Sequence, residues 1–307
     1  MSEYRLLENA FAAPAMGSLF QSAAFHRLHA GDAGAYFEWA LAGTVVASIH
    51  FTALDDGLWR SPARGTFGGF ACAPDIRLDT LFAFHDAVLA RLAARGAKRV
   101  EILPAPMAHD PAAFSNQLYL LRSRGYDTTH CDLNHSLQVD ERSLGERMSY
   151  GNLKRLRKCE REGLLAQALP VAALGEVYDT LAANRASKGH AMSMTLAQLE
   201  HMAQQLPEAF VLFGCRDGEQ LAAAALCLRL STEVLYVFYW GDRPGYAAQS
   251  PVVAVADAIY GYCRSHAIRL LDVGTSTVDR EPNIGLIQFK RGLGFSESLK
   301  VRMGRSL

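Results

Sequence analysis

Asn283-Ile-Gly-Leu-Ile-Gln-Phe-Lys-Arg-Gly-Leu-Gly-Phe295 is the stretch that decides the fold, because it completes the second occurrence of a sequence pattern that is also present earlier in the chain. Residues 44–139 and 220–303 follow the same course. Each has two apolar runs, a loop with glycine, an amphipathic helix, a short strand and a helix that ends before a Gly-aromatic pair. A repeat with a period of roughly 170 residues indicates two copies of one domain rather than a solenoid. We therefore expect an α/β protein with domains at 1–145 and 146–307.

The pattern predicts equivalent elements in the two copies. The first copy has strands at 44–51, 57–60 and just before residue 104, and helices over 78–94 and up to residue 124. The second has strands at 221–229, 233–240 and 269–273, and helices over 251–266 and up to residue 293. Strands that alternate with long helices favour mixed sheets with helices on their faces.

The repeat is most informative where the copies differ. When the Gly-aromatic pairs at 125–126 and 294–295 are aligned, Lys290 stands opposite Leu121. On a helix Leu286, Phe289 and Leu293 share one face, and Lys290 lies at its border. A lysine in place of a leucine indicates a core position converted into a charge that faces a cleft. The alternative is a surface lysine whose stem lies over the core.

Composition limits the class of protein. With 307 residues and 50% hydrophobic content, the chain is long enough for two domains of ordinary size. Its net charge of zero gives no global electrostatic case for binding nucleic acid or an anionic membrane. No targeting pattern opens the chain, and no apolar run approaches the roughly 18 residues of a membrane span. We expect a cytoplasmic protein without a membrane span.

The cysteines and histidines do not predict a metal site. Six cysteines are scattered along the chain without a C-x-x-C pair, which favours reduced, packed thiols over a disulfide framework or a zinc site. His130, Cys131, Asp132 and His135 are the nearest approach to a ligand cluster, but they lie along one predicted strand, where neighbours alternate faces.

A basic segment separates the two copies. Five of the eight residues from 154 to 161 are Lys or Arg, in a predicted helix that ends at Gly163. Lys154, Arg157 and Arg161 are related by steps of three and four, so their charges fall on one side. They form either a phosphate clamp for a nucleotide, coenzyme A or tRNA end, or a solvated connector helix.

These motifs together resemble the Fem-type acyltransferases, a group with tandem GNAT-fold domains. The resemblance rests on the basic helix, Ser187-Lys-Gly189, the strand entry at 217–224, Asp272-Val-Gly274 and the Asn283–Phe295 stretch. It covers most of the chain and is strongest from about 145 to 303, with the Phe-Lys helix as its most specific element. It implies two GNAT-like domains, each a mixed, twisted sheet flanked by helices.

The resemblance also implies the chemistry. Phe289 and Lys290 match the pair that the family places beside the reacting acyl group. The family has an acid at the position of Asp272, which either orients the amine or holds the Asn283 loop by hydrogen bonding. An amine attacks an activated acyl group through a tetrahedral oxyanion, which a single well-placed donor stabilises by roughly 3 to 4 kcal/mol. The sequence contains no G-x-S-x-G elbow, which agrees with a reaction that needs no covalent nucleophile.

The donor site departs from the family patterns in two places. The segment 243–250, which precedes the helix at Pro251, matches the GNAT pyrophosphate loop only in part, with Arg243 and Gly245 as its candidate contacts. No sustained heptads predict the coiled-coil arm that some Fem aminoacyltransferases insert. The first departure weakens the case for acyl-CoA, and the second weakens the case for tRNA.

Four further residues are candidates for substrate binding. Tyr239 and Trp240 end a predicted strand and either wall the cleft or belong to the core. Asn283 begins the Phe-Lys segment, and Lys188 lies in a polar loop that contacts either the acceptor or water.

The sequence thus favours a metal-free N-acyltransferase that transfers an acyl group, with acyl-CoA as the cosubstrate, to a small-molecule or peptide amine. The first alternative is an aminoacyl-tRNA-dependent transferase that acts on a peptide or cell-wall precursor. The second is a non-catalytic protein that binds an acyl or nucleotide ligand.

Overall fold

The computed structural model describes residues 4–12, 16–278 and 280–307. In chain order its strands and α-helices are β1 Tyr4–Glu8, α1 Ala23–Ala30, β2 Gly34–Leu41, β3 Thr44–Ala53, β4 Leu58–Ser61, β5 Ala71–Cys72, α2 Leu78–Ala94, β6 Arg99–Ile102, α3 Pro111–Ser123, β7 Asp127–Gln138, α4 Tyr150–Arg161, β8 Ala166–Leu169, α5 Leu174–Ala186, α6 Leu196–Gln205, β9 Phe210–Asp217, β10 Gln220–Arg229, β11 Val234–Asp242, α7 Val252–Ser265, β12 Leu270–Thr275, β13 Thr277–Val278, β14 Glu281–Pro282, α8 Ile284–Gly292 and β15 Ser296–Ser306. Short 3-10 turns lie at Leu19–Gln21, Gly31–Ala33, Asp55–Gly57, Val171–Ala173 and Pro207–Ala209.

The chain forms two compact units. Unit 1 contains residues 1–133 and 298–307, and unit 2 contains residues 134–297. The division therefore differs from the predicted boundary at 145/146, since it falls inside β7 and returns the last ten residues to unit 1. The reason is strand pairing: β15 runs antiparallel to β6, with Met303 opposite Ile102.

Unit 1 has the strand order β1-β2-β3-β4-β6-β15, with β5 beside β3. The pair β4–β6 is parallel, and the pairs that join β1, β2, β3, β5 and β15 to their neighbours are antiparallel. Apolar side chains of α2 and α3, such as Phe84 and Leu121, complete a core against β2, β3 and β6. The opposite face of β2 and β3 carries buried polar side chains, including Tyr36 and His50.

Unit 2 has the strand order β7-β12-β11-β10-β9-β8. Its parallel pair is β11–β12, and the other pairs are antiparallel. Its core joins α4, α7 and the end of α8 to the strands, with Val255 and Leu293 fully buried. Helix α5 contacts β9, β10 and β11. Each unit is therefore a mixed sheet with a parallel pair and flanking helices.

Local sequence explains where the two helices of the predicted site begin. Ser149 precedes α4 and accepts a hydrogen bond from the Asn152 amide, while Asn283 precedes α8 and accepts one from the Leu286 amide. Both are residue types that satisfy free amides at a helix start. Gly163 follows α4 with a φ of 73°, a conformation that favours glycine at the end of a helix.

Candidate functional site

The parallel strands of unit 2 stop pairing before they end. Tyr236 and Asp272 are the last paired positions, although β11 continues to Asp242 and β12 to Thr275. Backbone groups beyond the last pair need other partners if they are buried. The helix with the Phe-Lys pair supplies one of these partners.

Lys290 lies in this opening and is almost fully buried, at 1% exposure. Its Nζ donates to the carbonyl oxygens of Gly274 and Thr275, both at 2.9 Å. Burial lowers the pKa of Lys290 from 10.5 to about 7, against the opposing effect of the Asp272 carboxylate. An ammonium has three N–H donors, so these two bonds leave one donor for a further acceptor.

The position of Lys290 differs from both sequence interpretations. It is neither a surface lysine nor among the residues that line the cavity described below. The buried side of α8 carries Ile287, Lys290 and, just beyond its end, Leu293, whereas Phe289 is half-buried. The repeat alignment explains the difference, because Leu121 in the first copy is also fully buried. Both residues therefore occupy buried positions of their helices.

Asp272 is held at the end of the paired region. It is 1% exposed, and its Oδ1 accepts hydrogen bonds from Asn134 Nδ2 at 3.1 Å and from the Gly274 amide at 2.7 Å. Gly274 has a φ of 72°, which a side chain rarely allows. Asp272 thus fixes the turn whose carbonyl receives Lys290, while its predicted contact with an amine stays a prediction.

His135 adds a second titratable group to this buried region. Its Nδ1 lies 3.1 Å from Ser276 Oγ, and its Nε2 lies 3.5 Å from the Glu297 carboxylate. Burial, with the Lys290 charge as the second cause, lowers the pKa of His135. The sequence considered His135 only as a metal ligand. Within residues 4–12, 16–278 and 280–307, no three His, Cys, Asp or Glu side chains group as a metal site.

A cavity of about 1020 Å³ in unit 2 lies beside the Phe-Lys helix. Four of the predicted site residues line it: Phe289, Trp240, Asn283 and Lys188. The rings of Trp240 and Phe289 meet edge to face with centroids 5.8 Å apart, so they form an aromatic wall. Tyr239 does not line the cavity. It is buried, and its hydroxyl is hydrogen-bonded to Ser193.

Cationic side chains line the same cavity from two helices and a loop. They are Arg155 of α4, Arg185 of α5 and Lys188. The neighbouring His190 also lines it, and so do Ser149, Gly151 and Asn152 at the start of α4. Positive charge beside a helix N-terminus favours anions. The cavity is therefore suited to a phosphate or another anionic group.

The predicted clamp residues of α4 lie elsewhere. Lys154, Arg157 and Arg161 do not line the cavity, whereas Arg155, which the spacing did not select, does. The rotation of α4 decides this, because Asn152, Leu156 and Cys159 are its buried residues. The backbone of Gly292 fixes the start of the helix, since its carbonyl accepts from the Ser149 amide at 2.8 Å.

The loop before α7 satisfies its own polar groups. Its amides donate to oxygens of the chain itself at Tyr246, Gln249, Ser250, Val252 and Val253. Arg243 is tied to the Leu221 carbonyl and to Thr180 Oγ1, both at 2.9 Å, and Gly245 has a φ of 102°. Neither predicted contact lines the cavity. Most amides that a pyrophosphate would use here are already engaged.

Asp242, which the sequence analysis did not select, lines the cavity at the end of β11. Its Oδ1 accepts from the Val252 amide at 2.6 Å and so occupies the start of α7. Burial raises the pKa of Asp242 to about 6. The only sequence signal for it was its place two residues after Trp240, which ends a predicted strand.

No helix within the described part of the chain has both the length and the apolar character needed to cross a membrane.

Comparison with known proteins gives similarity of structure alone. No family model and no curated protein sequence matches the chain. It is similar to the crystal structure of FemX at 13% identity, over 95% of this chain and 93% of that chain, with a TM-score of 0.76. The chain has the FemX fold.

Two other solved structures extend the comparison. L-PGS from Bacillus licheniformis is 12% identical over 85% of this chain and 81% of its own, with a TM-score of 0.59. A tandem GNAT protein from the clavulanic acid biosynthesis pathway is 12% identical over 90% and 84%, with a TM-score of 0.50. The predicted tandem GNAT-like α/β fold, and the likeness to Fem-type proteins in fold, are confirmed.

Proposed function

We propose that the protein is an N-acyltransferase that takes its acyl group from the 3′ end of an aminoacyl-tRNA and transfers it to an amine of a peptide or small molecule. The observation that carries this proposal is the cavity of unit 2. It joins the Phe289–Trp240 wall to the cations Arg155, Arg185 and Lys188. An acyl ester on a nucleotide presents both an apolar or carbonyl group and a phosphate to such a surface.

The buried ammonium supports the acyl-transfer step. Attack by the amine nitrogen on the acyl carbonyl places negative charge on the carbonyl oxygen. Lys290 has one N–H beyond its bonds to Gly274 and Thr275. It does not line the cavity, so this role requires the acyl carbonyl to enter past the aromatic wall as far as Lys290, where such a donor stabilises an oxyanion by roughly 3 to 4 kcal/mol. With a pKa of about 7, the group is also easily held protonated by a developing negative charge.

The choice of donor rests on where the cations and free amides lie. The sequence favours acyl-CoA because the chain is neutral and has one basic segment. Against acyl-CoA, the loop before α7 engages its own amides, and the Asp242 carboxylate occupies the start of the helix. A pyrophosphate at that place would meet a negative charge. The cations of α4 and α5 also line the cavity and suit the phosphates of an RNA end.

The acceptor and two alternative functions are not decided by the cavity. The resemblance to Fem-type enzymes implies a peptide or cell-wall precursor amine, and that identity stays a prediction. Acyl-CoA as the donor and a role limited to ligand binding also stay open as outcomes of the experiment below.

The decisive probes are an aminoacylated 3′-CCA trinucleotide and acetyl-CoA, offered to the full chain with a peptide amine as the acceptor. We expect the trinucleotide to bind and to transfer its aminoacyl group. Transfer from acetyl-CoA, with no binding of the trinucleotide, would reassign the donor to acyl-CoA. Binding of either probe without turnover would leave the non-catalytic alternative.

Two triple variants provide a matched comparison of the cations. Changing the cavity residues Arg155, Arg185 and Lys188 to Gln should weaken trinucleotide binding. It should also reduce the salt dependence of binding. The slope of log affinity against log salt concentration should become shallower by about 0.7 for each phosphate that these cations no longer neutralise. The control set changes the cations of α4 outside the cavity to Gln: Lys154, Arg157 and Arg161. It removes the same charge and should leave trinucleotide binding unchanged. If both triple variants weaken binding equally, the trinucleotide does not bind through the cations of the cavity.

A further inference from the structure

The cavity wall has an uneven distribution of charge that the donor does not explain. Arg155, Arg185 and Lys188 line it, yet Asp242 is the one carboxylate among the described lining residues. An anionic donor accounts for the three cations. An acceptor amine is cationic at neutral pH, since α-amino groups have a pKa near 7.7 to 8.0, and it needs the opposite charge.

The carboxylate of Asp242 is held in place without being neutralised. Its Oδ1 accepts the Val252 amide at 2.6 Å, and Asp242 takes part in none of the ion pairs seen among the described residues. The nearby Lys188 instead donates to Asn184 Oδ1 at 3.0 Å, and Asn184 Nδ2 donates to the backbone carbonyl of Asp242. The amide of Asn184 thus links the lysine to the backbone of Asp242, and the carboxylate makes no direct ion pair, although the Lys188 charge is near enough to lower its pKa.

We propose that Asp242 binds the acceptor ammonium in the cavity and takes a proton from it, so that it acts as the general base of the transfer. This inference rests on the proposed acyl transfer and adds a catalytic residue to it. Asp242 lines the same cavity as Phe289 and Trp240, so a base there can reach an amine that approaches an acyl group held beside the aromatic wall.

The proposed step balances in protons and electrons. The acceptor R–NH3⁺ gives one proton to the carboxylate of Asp242, and the free amine pair forms the C–N bond as the carbonyl electrons move to oxygen. Collapse of the tetrahedral intermediate breaks the C–O ester bond. The departing ribose oxygen receives the second proton of the nitrogen, and Asp242 returns its own proton to water.

Burial gives Asp242 the basicity that this role needs. Its pKa of about 6 lies closer to neutrality than that of an ordinary aspartate, which improves proton transfer from an amine. The Lys188 charge acts in the opposite direction. The other titratable groups that face Asp242 are the buried thiols of Cys159 in α4 and Cys215 in β9. Burial raises the pKa of both thiols, so they remain neutral. The cavity also presents Arg155, Arg185 and His190.

The competing explanation is that Asp242 only caps α7. Asp242→Asn retains the side-chain oxygen for the Val252 amide and removes the basicity, so it separates the two roles. A second variant, Asp242→Ser, keeps a smaller acceptor for that amide. Asp217→Asn is the matched control, because Asp217 is exposed, accepts from the Tyr246 hydroxyl and does not line the cavity.

The experiment compares two acceptors with the same aminoacylated trinucleotide. One is a peptide α-amine, and the other is hydroxylamine, which is already unprotonated at neutral pH and yields a hydroxamate. With the peptide amine, Asp242→Asn and Asp242→Ser should lose about a hundredfold or more in rate and lose the rise of rate with pH near 6. With hydroxylamine both should stay within a few-fold of the wild type, and Asp217→Asn should match the wild type on both acceptors.

Each remaining outcome counts against the assignment. Equal losses with both acceptors would mean that Asp242 acts through the fold of the helix start. An unchanged rate with the peptide amine would remove Asp242 from the reaction and leave the proposed transfer intact. A wild-type protein that transfers to neither acceptor from the trinucleotide or from acetyl-CoA would refute the proposed function itself, and the base with it.

Discussion

Replacing Lys290 by Met should change how the stability of the protein depends on pH. Wild-type Lys290 is 1% exposed, and burial lowers its pKa from 10.5 to about 7. The unfolded chain holds this proton up to about pH 10.5, and the folded chain releases it above about pH 7. Between these values the unfolded state binds more protons, so the free energy of unfolding rises with pH. This contribution is fully present above about pH 10.5 and is lost as the pH falls to about 7.

The size of the effect follows from the same shift. Each pKa unit corresponds to about 1.4 kcal/mol, so burying the charge costs the folded protein on the order of 4 kcal/mol at pH 7. Methionine removes that cost but leaves the carbonyls of Gly274 and Thr275 without their donor, at about 1–3 kcal/mol each. Wild type and variant should therefore be similarly stable at about pH 7. By about pH 10 the wild type should have gained roughly 3 to 4 kcal/mol over the variant.

Urea unfolding followed by circular dichroism at several pH values from about 7 to about 10 measures this difference. Other titrating groups cancel when the variant is subtracted from the wild type. Lys154→Met is the control for the loss of a lysine, since Lys154 is not among the buried side chains. A Lys290→Met difference that does not vary with pH would refute the buried geometry of Lys290.

Three further predictions use other parts of the structure. Lys290→Met should also lower the rate of acyl transfer by about a hundredfold or more, and a variant as active as the wild type in that assay would exclude the ammonium from the oxyanion site. In Gly292→Ala the new Cβ would lie 2.8 Å from Asn152 Nδ2 and 3.3 Å from Ser149 Oγ. The Asn152 side chain at the start of α4 must then shift, and calorimetry should detect weaker trinucleotide binding, whereas unchanged binding would show that this side chain does not contribute to the site. In unit 1, burial lowers the pKa of His26 to about 3, so the stability that its neutral form contributes is present above about pH 6.5 and is lost below it. From about pH 7 to about pH 5 the wild type should lose roughly 2 kcal/mol relative to His26→Gln in urea unfolding, and parallel curves would contradict this.

Much of the fold could be predicted because its signals are local. Helix α2 spans the predicted residues 78–94, and the strands and helices of the second copy lie within a few residues of their expected positions. Periodic apolar residues and glycines at helix ends act over one or two turns, so they are visible along the chain. The division into units was less accessible, because β15 joins unit 1 through hydrogen bonds to β6, which lies far earlier in the chain.

Local sequence signals also predicted part of the candidate site. The sequence identified Phe289, Trp240 and Lys188, which do line one cavity. It selected a different side of α4 from the one that carries Arg155, since a thin apolar edge does not define the rotation of a basic helix. Packing of Asn152 and Cys159 within unit 2 sets that rotation.

By itself the sequence determined the tandem GNAT-like α/β fold and the place of the Phe-Lys helix near its end. Only the tertiary structure decided that Lys290 is buried on the carbonyls of Gly274 and Thr275, and that Asp242 shares a cavity with cations from α4 and α5. The physical reason is that a helix or strand is stabilised by neighbours along the chain, whereas a pKa and a cavity depend on which distant residues exclude water.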